Sequence, residues 1–273
     1  MRPKTLDDLT GPWKRTTQIV YRDCPVCARD NWKLYLSPDT GLWKCFGCNA
    51  AGRLDLGHTN ALAMLHVKSQ AAPTWAPMDL PPFKGLSAAA HDHLRWKYGL
   101  SPEQCARYSL VEGTAEPYIG RILIPYFNQS GEIIYYTGRS YIGEIPKYKT
   151  ADGKHPLYIP MFASCLSLLP SALGRAGVTL VEGCFDAIKC WEAGWAAFAL
   201  GGVGLPRHLL PSLIERIGRI PVTIALDSDA LDKALALQRR LQPFVAGEVR
   251  VVMLPPGQDP GSMPIDQLQE VLK

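Results

Sequence analysis

The chain of 273 residues lacks several features that would have set its class at once. No apolar run approaches the roughly 18 residues that a membrane-spanning helix needs; Trp195 to Leu200 is typical. No G-x-x-x-x-G-K-[ST] string occurs, which argues against a P-loop nucleotide motor. The segment Met1 to Arg15 carries Pro3, Asp7 and Asp8 but no apolar stretch, so no secretory signal is expected. Charge is not in excess, at 20% of residues against 47% hydrophobic, which excludes a disordered chain. These absences leave a soluble, cytoplasmic globular protein with reduced thiols, long enough for about two domains.

Charge is present but unevenly placed. Residues 1–53 hold 9 basic and 5 acidic side chains, whereas residues 176–273 hold 9 and 11. A basic module suits an anionic polymer, and an acidic one suits divalent cations. Scatter of surface charge explains the same counts equally well.

The eight cysteines are more decisive. Four of them form Cys24-Pro-Val-Cys27 and Cys45-Phe-Gly-Cys48, with 17 residues between the pairs. In a reducing compartment, two such knuckles predict a tetrahedral four-cysteine Zn²⁺ site. The intervening residues fit a hairpin. Trp32, Leu34 and Leu36 alternate, Pro38-Asp39-Thr40-Gly41 turns, and Leu42-Trp43-Lys44 returns. A module of this size has little core, so the metal would supply much of its folding free energy. Trp32, Lys33, Trp43, Lys44 and Phe46 offer aromatic and basic groups that could stack on bases, or could simply cover the metal. Cys105, Cys165, Cys184 and Cys190 lack ligand spacing and read as small buried hydrophobes.

Beyond the ribbon, Leu54 to Val67 reads as a short helix, and Lys68 to Gly85 as a Pro- and Ala-rich linker. Residues 87–109 read as two short helices broken at Gly99, with Ser101-Pro102 as a helix start. Arg121 to Phe127, a turn at Asn128 to Gly131, and Glu132 to Tyr136 read as a hairpin. Arg121, Arg139, Lys147 and Lys149 fall near the ends of this β structure. They could hold phosphates, or they could blunt a solvated edge. From Gly177 onward, short apolar runs alternate with helices, the pattern of a parallel sheet covered on both faces.

The acids of that last part stand where its strands end. Glu182-Gly183 follows the first strand, and Asp186 lies one helical turn further. Asp227-Ser-Asp229 follows the third strand, and Asp259-Pro260 follows the last. Sheets of this kind bind ligands beyond the carboxyl ends of their strands. Carboxylates gathered there repel one another unless cations lie between them, which suits one or two Mg²⁺ or Mn²⁺ ions on phosphate oxygens. Any one of these acids alone could be a helix N-cap, Asp229 above all.

The stretch Leu180-Val-Glu-Gly183 with Asp186, followed by Asp227-x-Asp229, resembles the Toprim domain of bacterial-type primases, topoisomerases and some nucleases. The Cys24–Cys48 ribbon resembles the primase zinc-binding domain. Arg121 to Phe127, Gly138-Arg139 and Pro146-Lys147-Tyr148 look like the basic subdomain of the primase polymerase core. Gly99-Leu-Ser-Pro-Glu103 looks like the helical segment that leads into that core. Together these cover roughly residues 20–265 in the family's order. The resemblance implies an α/β fold with an N-terminal β zinc ribbon. A two-part polymerase core follows, a mixed α+β basic subdomain and a Toprim parallel-sheet subdomain. The expected boundaries are 1–53 for the ribbon, 54–85 for the helix and linker, 86–175 for the basic subdomain and 176–273 for Toprim.

The resemblance also implies roles. Glu182, Asp227 and Asp229 would be catalytic, and Glu182, Asp186, Asp227, Asp229 and Asp259 would hold Mg²⁺ or Mn²⁺. Arg121, Arg139, Lys147 and Lys149 would contact nucleotide and template. The ribbon would read the template and hold the first nucleotides. Two positions depart from the family pattern: Gly261 where a further Asp is usual, and Ser228 where Gly is usual. The compact form looks like a stand-alone phage or plasmid primase acting in a bacterial host cytoplasm, with a separate replicative helicase and a DNA polymerase as partners by analogy.

Three functions fit these motifs. The leading one is a DNA-dependent RNA primase that joins ribonucleoside triphosphates on single-stranded DNA. A Toprim nuclease would use the same acids with water as nucleophile, whereas a topoisomerase needs gate domains this length cannot supply. A non-catalytic, recombination-mediator-like DNA-binding protein also joins a four-cysteine site to Toprim. There the two lie close together, whereas here 133 residues separate Cys48 from Glu182.

Overall fold

A computed structural model describes residues 3, 8–9, 13–15, 19–37, 42–54, 75–128, 130–160, 177–202, 204–217, 220–245 and 247–273. The expected helix after Leu54, residues 68–74 of the expected linker and the tip of the ribbon hairpin lie outside these residues. The rest of that linker is not a free tether: Trp75 and Met78 pack against a core, and Phe83–Lys84 pair into a sheet, because their apolar side chains have a surface to cover. The chain divides into two compact units, residues 1–71 and 72–273. Among the described residues, no helix is long and apolar enough to cross a membrane.

The first unit is one antiparallel sheet of five strands in sequential order. They are β1 (Trp13–Arg15), β2 (Ile19–Asp23), β3 (Asp30–Leu36), β4 (Leu42–Cys45) and β5 (Ala51–Arg53). Alternation in β4 buries Trp43 and Cys45 and exposes Leu42 and Lys44. The small core is Ile19, Tyr21, Leu34, Leu36 and Trp43, closed at one end by the cysteines. The expected alternation fails at Trp32, whose φ of 55° takes it out of the extended register.

The second unit begins with a second antiparallel sheet, ordered β10-β9-β8-β7-β6. Its strands are β6 (Phe83–Lys84), β7 (Val111–Gly113), β8 (Arg121–Phe127), β9 (Ile133–Ser140) and β10 (Tyr148–Thr150). Helices α1 (Ala88–Tyr98) and α2 (Pro102–Arg107) lie between β6 and β7. Ser87 caps α1, and Gly99, at φ 64°, ends it in the left-handed conformation that favours glycine. Ser101 and Gln104 then form a capping box that starts α2 at Pro102.

The remainder is a four-stranded parallel sheet, ordered β12-β11-β13-β14. Its strands are β11 (Val178–Val181), β12 (Ala197–Ala199), β13 (Val222–Ile224) and β14 (Val249–Val251). The alternating helices are α3 (Cys184–Glu192), α4 (Leu210–Ile217), α5 (Leu231–Leu241) and α6 (Ile265–Leu272). Val178, Leu180, Phe198, Val222 and Ile224 face a core shared with α4 and α5. Val181, Ala197, Ala199 and Ala225 face the other core, shared with α3 and α6. The strands are apolar on both faces because both faces are covered.

That second core also contains Leu94 of α1, Cys105 of α2, and Ile122, Ile124 and Tyr126 of β8. The antiparallel sheet and the parallel sheet therefore share one interior. Two polar anchors reinforce the join. Lys189 of α3 is 6% exposed and donates to the Tyr98 carbonyl at the end of α1, 2.7 Å away. Glu192 receives bonds from Gln104, Arg107 and Tyr108, all on or beside α2. Glu192→Ala leaves these donors without their acceptor, so it should cost about 2–3 kcal/mol of stability, read as a lower urea midpoint with an unchanged slope.

Candidate functional site

The expected cysteines come together in the first unit. The Sγ atoms of Cys24, Cys27, Cys45 and Cys48 all lie within 4.8 Å of one another. Cys24 Sγ stands 3.9 Å from Cys48 Sγ, close to the ~3.8 Å edge of a tetrahedron with Zn–S bonds of ~2.3 Å. Burial pushes the Cys24 thiol up to about 12. At Cys45 burial opposes ionisation, but the N–H groups of Gly47 and Cys48 together with the thiols of Cys24 and Cys48 lower its pKa on balance. Four crowded thiols with directed backbone N–H groups fit a thiolate-bound zinc ion.

Trp43 does not face solvent beside this centre. It is 2% exposed and lies so close to Gly52 that a Cβ there would meet its ring at 2.9 Å. The exposed aromatic is Phe46, set edge-on to Tyr35 at 5.1 Å, with the Lys44 ammonium 5.0 Å above its ring. Lys33 and Lys44 are likewise exposed.

The second unit carries a cleft of about 270 Å³. Glu182, Asp186, Asp227 and Asp259 from the parallel sheet and its connections line it, together with Lys97 of α1, Arg139 of β9 and Lys147 just before β10. The acids arrive from three strand ends, as a parallel sheet dictates. Glu182 leaves β11, and its carboxylate accepts from the Asp227 N–H at 3.2 Å, tying β11 to β13. Its carbonyl accepts from Gly201 and Gly202 beyond β12, at 2.9 and 3.1 Å. Burial and the charge of Asp227 raise the Glu182 pKa. Burial and the charge of Asp259 raise that of Asp227, and Asp229 adds to both. Asp229 is exposed and is not among the residues that line the cleft. Asp227 Oδ1 is buried with no hydrogen-bond partner. Like charges held this closely, with an oxygen left over, fit a divalent cation.

Asp186 stands deeper. Its Oδ2 accepts from the Gly183 N–H at 2.8 Å and its Oδ1 from the Gly261 N–H at 3.0 Å. Burial, with Asp259 next, pushes its carboxyl up to about 7.

Arg139 and Lys147 reach the cleft because β9 and β10 pair Arg139 with Tyr148. The Arg139 guanidinium lies 4.8 Å from the Tyr148 ring centre. Arg139 is 4% exposed, yet its Nε and Nη1 have no hydrogen-bond partner. A buried cation with idle donors in a cleft fits a bound anion. Arg121 and Lys149 do not line the cleft. Arg121 is buried beneath the loop between β9 and β10, donating to the Pro146 carbonyl at 2.8 Å and facing Glu144 at 3.4 Å. Lys149 alternates with Tyr148 and Thr150, which do line the cleft, and so falls on the opposite side of β10.

Comparison with known proteins places this geometry. No family model matches the sequence, and no curated protein matches it. A solved DnaG catalytic core superposes with a TM-score of 0.51 at 20% identity, covering 74% of this chain and 72% of that one. The chain has the fold of the primase catalytic core. The zinc-binding and RNA polymerase domains of the Aquifex aeolicus primase give 0.45 at 20% identity, over 96% of this chain and 80% of that one. The E. coli primase catalytic core gives 0.44 at 19%, over 77% and 70%.

Within this primase fold, Lys97, Gly201-Gly202 and His155 line the cleft without having been singled out by the sequence. Lys97 carries no local signal, since it is one lysine on a helix. Burial, then Arg139 and Lys147, lower its pKa. The Gly201-Gly202 pair directly after a strand was a readable sign of close backbone approach.

The raised carboxyl pKa values predict a pH dependence. In metal-free protein the folded state holds protons on Asp186, Glu182 and Asp227 that the unfolded chain has released. Stability should therefore fall as pH rises from about 4 through about 7, the value to which Asp186 is pushed. Excess Mg²⁺ should flatten that slope, as measured by denaturant unfolding across the range with chelator or metal.

Proposed function

We propose that the protein is a DNA-dependent RNA primase, a nucleotidyltransferase that makes short RNA on single-stranded DNA from ribonucleoside triphosphates. The observation that carries this reading is the lining of one cleft by both acids and cations. Glu182, Asp227 and Asp259 come to it from the parallel sheet, and Arg139, buried with Nε and Nη1 unbonded, comes with Lys97 and Lys147 from the antiparallel sheet and its helix. An anion that also brings cations, a nucleoside triphosphate with its metals, satisfies both sets of charges at once.

Glu182, Asp227, Asp229 and Asp259 would hold the divalent ions. Such ions would neutralise charge on the triphosphate and lower the pKa of the attacking hydroxyl. Arg139 would donate Nε and Nη1 to phosphate oxygens, its plane held by Tyr148, while Lys97 and Lys147 screen the remaining charge. The primer 3′-oxygen forms the new bond to the α-phosphorus. The bond to the bridging oxygen breaks, pyrophosphate leaves, and the hydroxyl proton passes to solvent. Arg121 would act at a distance, by holding the loop that carries Lys147. On the ribbon, Phe46, Tyr35, Lys33 and Lys44 would meet template bases and phosphates.

Single-stranded DNA, labelled ribonucleotides and Mg²⁺ should yield short RNA. Glu182→Gln should lower the yield at least about 100-fold while leaving DNA binding intact. Degraded DNA with no RNA product would replace this reading with a nuclease. Arg139→Ala should raise the KM for nucleotide about 10-fold or more, seen in single-nucleotide extension. Cys45→Ser should release zinc, measured by metal analysis, and abolish initiation on natural templates while sparing extension of a supplied primer. Equal loss of both activities would give the ribbon a structural role alone.

A further inference from the structure

Asp186 is the one carboxylate of the cleft whose two oxygens both receive a backbone N–H, from Gly183 and from Gly261. Each donor is a glycine for reasons of space. Gly183 is extended, at φ −116°, a conformation open to any residue. A Cβ on it would stand 3.0 Å from Asp186 Oδ2. A Cβ on Gly261 would stand 2.6 Å from Asp186 Oδ1 and 3.2 Å from Asp259 Oδ1. The two glycines thus form a socket for this one side chain.

The socket joins the start of α3 to the loop that presents Asp259. The same loop is held at its other end by Ser228. The Ser228 hydroxyl accepts from the Gly257 N–H at 2.9 Å, and its own N–H donates to the Gln258 carbonyl at 3.2 Å. Inside the loop, Asp259 Oδ1 accepts from the Ser262 N–H at 2.8 Å, which fixes the carboxylate's direction. The two departures from the family pattern, Ser228 and Gly261, are therefore the two attachment points of one loop.

We infer that Asp186 is a positioning residue and not a metal ligand, and that together with Ser228 it clamps the Gly257–Ser262 loop so that Asp259 meets the cations. This rests on the reading that Glu182, Asp227, Asp229 and Asp259 hold divalent ions. Gly261 follows from the clamp, since a side chain there would displace the Asp186 carboxylate.

Mn²⁺ binding to the zinc-loaded full chain, followed by electron paramagnetic resonance, tests this without reference to catalysis. Ser228→Ala removes one acceptor and should weaken Mn²⁺ binding about 3- to 10-fold, the range expected for one lost hydrogen bond. Ser228→Thr, which keeps the hydroxyl, should restore it. Gly261→Ala should weaken binding at least as much, with the thermal midpoint of the ribbon and core unchanged. Asp186→Asn should bind the same number of Mn²⁺ ions as the wild type at saturation, with lower affinity. Loss of one Mn²⁺ equivalent in Asp186→Asn makes it a ligand and overturns the inference. Wild-type affinity in both Ser228→Ala and Gly261→Ala overturns the clamp. The expected pattern in a protein that makes no RNA supports the inference and removes only the primase reading. A wild type that binds no Mn²⁺ overturns both.

Discussion

Mutual repulsion among carboxylates that cannot escape one another governs this molecule. Glu182, Asp227 and Asp259 are delivered to one cleft by strands whose order and direction are fixed by two apolar cores. The chain cannot relieve the repulsion by moving them without breaking that packing. Protonation or cations must relieve it. The carboxyl pKa values of Glu182, Asp186 and Asp227 are raised first by burial and then by the neighbouring carboxylates, which favours the first route. On the proposed function, the second route would serve chemistry on phosphate.

The antiparallel sheet matters because it supplies the opposite charge at short range. It shares an interior with the parallel sheet, so Arg139 and Lys147 are held against the acids by apolar packing and not by ion pairing with them. Arg139 is left with idle donors in a buried place.

The four-cysteine centre uses different physics. Its unit has a core of a few residues, with Trp43 turned inward to fill it. Metal ligation then contributes what burial cannot. The side chains left on the outer face, Phe46 and Lys44, are those whose exposure the packing does not require.

Much of this was legible in one dimension. The paired C-x-x-C spacing, the alternation of apolar runs with helices, and acids directly after Val181 and Leu226 depend only on local geometry and on where a strand must end. The helix from Cys184 to Glu192 could be read to the residue for that reason. Which cations face the acids was not legible, because it depends on strand pairing. Arg121 and Arg139 are both arginines of neighbouring strands, yet one lies under the loop between β9 and β10 and the other in the cleft. Lys97 enters only because α1 is packed against the cleft wall. Asp186 was placed among the acids by its spacing, but the two N–H groups it receives come from glycines 78 positions apart, a meeting that only the closed fold brings about. Sequence fixes what each residue can do over a turn or a strand. Long-range packing decides which of those residues stand within reach of one another.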